Sequence, residues 1–65
     1  MKDRTGANIC VGELVSIIGH SELSLQCNWI IIDKIDYGVN VDLVLEQATT
    51  KEIRFINILD VQRQF

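Results

Sequence analysis

The chain has 65 residues, too few for more than one domain, and a domain this small buries only about 60% of the surface its unfolded chain exposes. Its composition is 48% hydrophobic and 23% charged, with six Lys and Arg against nine Asp and Glu, which excludes the apolar-poor signature of disorder. The longest strictly apolar run, Trp29-Ile30-Ile31-Ile32, falls far short of the roughly 18 to 20 residues that cross a bilayer. No basic-then-apolar leader opens the chain, so the expectation is a soluble, cytoplasmic protein.

With no Pro in the chain, the four Gly at positions 6, 12, 19 and 38 are the punctuation, and each is expected to mark a turn. Residues 1–8 are read as an extended N-terminal arm. Glu13 to Ile18 makes a first strand, and Gly19 to Asn28 a long first loop. Trp29 to Ile35 is nearly all apolar, and Asp36-Tyr37-Gly38 supplies a tight turn in which Gly can take a positive φ. Then Val39, Val41, Leu43 and Leu45 alternate with Asn40, Asp42, Val44 and Glu46, the period-2 pattern of a strand with one buried face. Gln47-Ala48-Thr49-Thr50 turns the chain into Lys51 to Ile56, again alternating, and Asn57 to Arg63 suits one helical turn followed by a short closing strand.

The segments between the turns are rich in Ile and Val, whose branched side chains pack on a pleated surface better than in a helix. The fold class expected is therefore all-β, with five short strands. In so small a chain an open sheet cannot bury both faces, and curling into a barrel also removes exposed edges. Strand, long loop, three-strand meander, single turn and final strand is the order of an SH3-like barrel. A core of this size seldom supplies more than roughly 3 to 5 kcal/mol, which keeps self-association open as a route to stability.

Val11-Gly12-Glu13-Leu14-Val15-Ser16-Ile17 resembles the "vGD-x-V-x-I" opening of SH3-like, KOW-like and Tudor-like barrels, with Glu13 where Asp is commoner. Lys2 to Val15 is similar to the "KD-x-x-G-x-x-I-x-x-GD-x-V" stretch of YopX-like and other small bacteriophage or prophage proteins. The resemblance covers about a quarter of the chain. It implies a barrel of bacterial or phage origin that binds another molecule, and it names no activity.

Chemistry is sparse. Cys10 and Cys27 are expected to be free thiols, buried or half-buried, because nothing marks a secreted chain. With His20 they form no closely spaced ligand pair, so neither a metal nor a cofactor is expected. Gly19-His20-Ser21-Glu22 has the residue types of a hydrolase but not the context, since adjacent residues of one loop rarely converge as nucleophile and base. His20, Ser21 and Glu22 are read instead as contact residues of the first loop, together with Asp36 and Tyr37 at the following turn. Trp29 is assigned to the core, where its large ring matters most.

Three functions compete. Residues 13–46 carry six acids against Lys34 alone, a balance of minus five, which would repel a phosphate backbone and permits docking on a basic protein surface. A net charge of -3 is ordinary for a small soluble domain and reads first as a solvated, solubilising face. The preferred reading is a non-catalytic interaction module, an accessory protein of a phage or mobile element. The alternative is a KOW-like nucleic-acid or ribonucleoprotein module using Lys51, Arg54 and Arg63. The third is a subunit of an oligomeric enzyme. Type II plasmid dihydrofolate reductases, which are small barrels of this kind, carry Val-Gln-Ile-Tyr on a late strand, whereas Ile53-Arg54-Phe55-Ile56 lacks both the Gln and the Tyr. That activity is not expected.

Overall fold

A computed structural model describes residues 1–64. Five strands form one antiparallel sheet: β1 (Leu14–Ile17), β2 (Trp29–Asp36), β3 (Val41–Gln47), β4 (Ile53–Asn57) and β5 (Val61–Arg63). Their spatial order is β4-β3-β2-β1-β5. Single 3-10 turns occupy Leu23–Leu25, within the β1–β2 loop, and Ile58–Asp60, between β4 and β5. All four Gly have positive φ, and the strand breaks fall beside them as expected. Among the described residues no helix is long and apolar enough to cross a membrane.

The central hairpin forms because the two faces of its strands differ. Leu43 and Leu45 of β3 are fully buried and lie across from Lys34 and Ile31 of β2. The apolar run at the start of β2 has no alternation to hold it in one register. A bulge between Ile31 and Asp33 resolves this: Trp29 and Ile31 point into the core, Ile32 is taken up in the irregularity, and pairing with β3 resumes at Asp33, beyond which β2 is mostly exposed. Val39, expected on the buried face, instead belongs to the turn between β2 and β3 and is 93% exposed. The hairpin closes one residue pair earlier, at Asp36 across from Val41, so Val39 has no strand to place it inward.

Two opposite edges of the sheet, β4 and β5, are joined by only three residues. A 3-10 turn of that length rises roughly 6 Å. In a flat sheet, edge strands four spacings apart would stand about 19 Å from one another. The sheet therefore curls so that its edges approach at this turn, and one core fills the concavity: Ile9, Val15, Ile17, Trp29, Ile31, Leu43, Leu45, Ile56 and Val61. Among the described residues no ladder joins β4 to β5, so curling brings the edges together without pairing them.

Residues 1–8 are not an extended arm. Lys2 bridges Asn8 across a turn at Gly6, Arg4 N–H donates to the Val61 carbonyl at 3.0 Å, and Ile9 is buried. Asp3, itself buried, ties this segment down by accepting Arg63 N–H at 2.6 Å. β4 also departs from the expected phase. Ile53 and Phe55 face outward while Ile56 packs into the core, because the partner of Ile56 is the buried Leu43 and that of Phe55 is Val44 on the outer face.

Candidate functional site

The β1–β2 loop is held against the second 3-10 turn by its first residues. His20 Nε2 lies 3.1 Å from Asp60 Oδ2, and Ile18 N–H donates to the Asp60 carbonyl at 2.8 Å. The loop stiffens itself: His20 N–H donates to Ser24 Oγ at 2.9 Å and Ser24 N–H to the His20 carbonyl at 2.6 Å. Ser21 and Glu22 then stand exposed at its outer bend. The Ser24 hydroxyl therefore serves the backbone, and the His20 ring nitrogen is engaged by a carboxylate.

The start of the same 3-10 turn reaches the other strand pair. Asn57 caps it by accepting Leu59 N–H on Oδ1 at 2.9 Å, while its Nδ2 lies 3.5 Å from Asp42 Oδ1 on β3. Asp42 is one residue beyond Val41, the partner of Asp36, and so the β2–β3 turn belongs to this end of the molecule. Within that turn Asp36 Oδ1 accepts Gly38 N–H at 2.8 Å, and Tyr37 N–H donates to the Asn40 carbonyl at 2.8 Å. This local bonding leaves Tyr37 61% exposed. Leu59, on the 3-10 turn, is 67% exposed.

His20, Ser21 and Glu22 thus occupy one side of the Ile58–Asp60 turn, and Asp36 and Tyr37 the strand pair that its cap touches. The turn connects the two sets, and among the described residues no hydrogen bond joins them directly. Sequence reasoning passed over Leu59, Asp60 and Asn57 as part of a connecting turn. The available signal was Asn57 followed two residues later by a residue whose amide it can cap.

The three basic residues are not brought together. Arg54 lies on edge strand β4 and Arg63 on the opposite edge strand β5, while Lys51 sits in the β3–β4 turn with φ +65°. Each Arg has its own acid: Arg54 Nη2 is 3.0 Å from Glu52 Oε2, and Arg63 Nε is 3.7 Å from Glu13 Oε2. A shallow depression of about 360 Å³ beside that second pair is lined by Gly12, Glu13, Leu14 and Arg63.

Both cysteines are free, and both are exposed rather than buried. Neither falls on an inward strand position, Cys10 preceding β1 and Cys27 preceding β2. Cys10 Sγ donates to Glu13 Oε1 at 3.1 Å, and this hydrogen bond, followed by the charge of the carboxylate, pushes the thiol above its ordinary pKa. Such a thiol resists conversion to the nucleophilic thiolate. Among the described residues no group of three or more His, Cys, Asp and Glu is placed to bind a metal ion.

No family model matches this chain. No curated protein and no solved structure matches it either.

Proposed function

We propose that this chain is a non-catalytic interaction module of SH3-like barrel type, which receives a basic segment of another protein across the Ile58–Asp60 end of its sheet. The observation that carries the reading is the exposure of Tyr37 and Val39 in the β2–β3 turn and of Leu59 in the 3-10 turn, with Asp36 and Asp60 next to Tyr37 and Leu59 in the chain and Asp42 beside the Asn57 cap. Exposed apolar side chains in acidic surroundings favour a partner offering apolar groups among Lys and Arg. The curl of the sheet and its strand order support the barrel assignment. The likeness of residues 2–15 to small phage proteins supports a phage or mobile-element setting in a bacterial cytoplasm.

The nucleic-acid alternative has weaker support, because Arg54 and Arg63 stand on opposite edges and each has a carboxylate beside it. The test compares capture from bacterial lysate by the natural chain and by a His20→Ala, Glu22→Ala, Tyr37→Ala triple variant. All three positions are wholly or partly exposed, so the variant should fold normally. Proteins retained by the natural chain, released by salt and lost from the variant are the expected result. Equal retention by both would overturn the assignment of the surface, and a salt-sensitive gel shift with no protein capture would replace the protein partner with nucleic acid.

A further inference from the structure

The sheet treats its two edges differently. At β5 the outward backbone groups are engaged from within the chain, the Val61 carbonyl by Arg4 N–H and Arg63 N–H by the Asp3 carboxylate. At β4 the only neighbour paired among the described residues is β3. Gln47 N–H donates to the Glu52 carbonyl at 2.9 Å, and the alternation of an antiparallel ladder then turns the backbone of Arg54 and Ile56 toward β3 and that of Ile53, Phe55 and Asn57 away from it. Among the described residues the outward N–H and C=O groups of Ile53 and Phe55 and the Asn57 N–H have no backbone partner elsewhere in the chain, while the Asn57 carbonyl opens the 3-10 turn that follows. β4 has neither Pro nor a bulge to blunt this edge, and its outer face presents Phe55 at 63% and Ile53 at 41% exposure beside Val44 of β3.

We propose that β4 is a homodimer interface, in which two copies pair antiparallel about a two-fold axis at Phe55 and continue the sheet from one chain into the other. Charge favours a second copy at this place. The chain carries a net charge of -3, yet around β4 Glu46 and Glu52 are matched by Lys51 and Arg54. That leaves Asp42, beside Asn57 at one end of the strand, as the unmatched acid, so two acidic molecules meet where little of their net charge lies. Register favours Phe55 as the centre. A pairing centred on Arg54 would set two guanidinium groups opposite one another, and one centred on Ile53 would need Lys51, at φ +65°, to be extended. Centred on Phe55, the pairing uses every residue of β4 and brings the two Phe55 rings together on the outer face.

An interface of ordinary size takes roughly 800 Å² from each partner, about a fifth of the 4065 Å² surface of this chain. One five-residue strand and its outer side chains cover less than that, so dissociation belongs in the micromolar range or above.

Sedimentation equilibrium of the full chain, from low micromolar to millimolar concentration, is the direct test. The average mass should climb from 7.4 kDa toward twice that value. Phe55→Glu should weaken association by at least about tenfold, with the circular dichroism and Trp29 emission of the natural chain retained. In parallel, the Ile53, Phe55 and Asn57 amides should gain protection from hydrogen exchange with concentration in the natural chain alone. A single-chain mass throughout would overturn the proposal. So would a dimer that survives Phe55→Glu without added protection at those three amides.

Discussion

Asp3 shows how a single side chain can secure an entire segment. Its carboxylate accepts four hydrogen bonds, from Thr5 N–H, the Thr5 hydroxyl, Ala7 N–H and Arg63 N–H. Burial by itself raises its pKa, but the hydrogen bonds from Arg63, Thr5 and Ala7 together outweigh that and bring it down to about 2. The folded value lies below the unfolded one, so the carboxylate stabilises the fold fully above about pH 4. That contribution is lost as the pH falls toward 2. Denaturation midpoints followed against pH should show this acid decline in the natural chain and a flatter one in Asp3→Asn. An unchanged decline would assign acid sensitivity to other carboxylates.

Trp29 belongs to the same scale. Its ring is fully buried among Val15, Ile17, Ile31, Leu45 and the rest of the core. Its Nε1–H has no hydrogen-bond partner among the described residues. Trp29→Ala should cost about 3 to 5 kcal/mol and unfold so small a domain. Trp29→Phe should cost much less, because it keeps an aromatic filler and removes a buried donor whose lack of a partner costs about 1 to 3 kcal/mol. Urea titration followed by far-ultraviolet circular dichroism compares the two. A folded, natural-like Trp29→Ala would mean that the ring contributes little to the core.

Among the elements, the β3–β4 turn depends on a residue that the sequence presents as ordinary turn material. Gln47 ends β3 with its side chain buried, donates from Nε2 to the Cys27 carbonyl at 2.8 Å, and accepts Thr49 and Thr50 N–H on Oε1. One amide thus fastens this turn to the end of the β1–β2 loop. Gln47→Ala should cost about 1 to 3 kcal/mol by leaving those groups unpaired. Increased amide exchange confined to Cys27–Trp29 and Ala48–Lys51 would be the local signature. A uniform loss of protection would instead identify Gln47 as part of the global core.

The bulge in β2 acts at this scale too. β1 pairs with β2 only at Trp29 and Ile30, before the bulge, whereas β3 follows β2 along its whole length. The irregularity therefore falls where β2 leaves one neighbour and continues with the other. That is where a bend lets the second half of the hairpin fold over the core.

For the molecule as a whole, strands, turns and the core position of Trp29 were legible in the sequence because each rests on local signals: β-branched runs, positive-φ Gly and alternation. The long loop from Gly19 to Asn28 was legible for the same reason. What escaped was non-local. Alternation states which residues of β4 share a face, but only pairing with β3 and the curl of the sheet decide that Ile56 enters the core while Ile53 and Phe55 remain outside. Val39, Cys10 and Cys27 were misjudged because hydrophobic character alone does not supply a strand to carry a residue inward.

The sequence by itself determined an all-β fold and the positions of its turns, since these follow from side-chain shape and composition. Tertiary structure alone decided that His20 meets Asp60, that Asp3 reaches across to Arg63, and that Arg54 and Arg63 part to opposite edges. Each of those relations joins segments far apart in the chain. They depend on how the sheet bends, which is set by the register of its strands and the three-residue link between its edges.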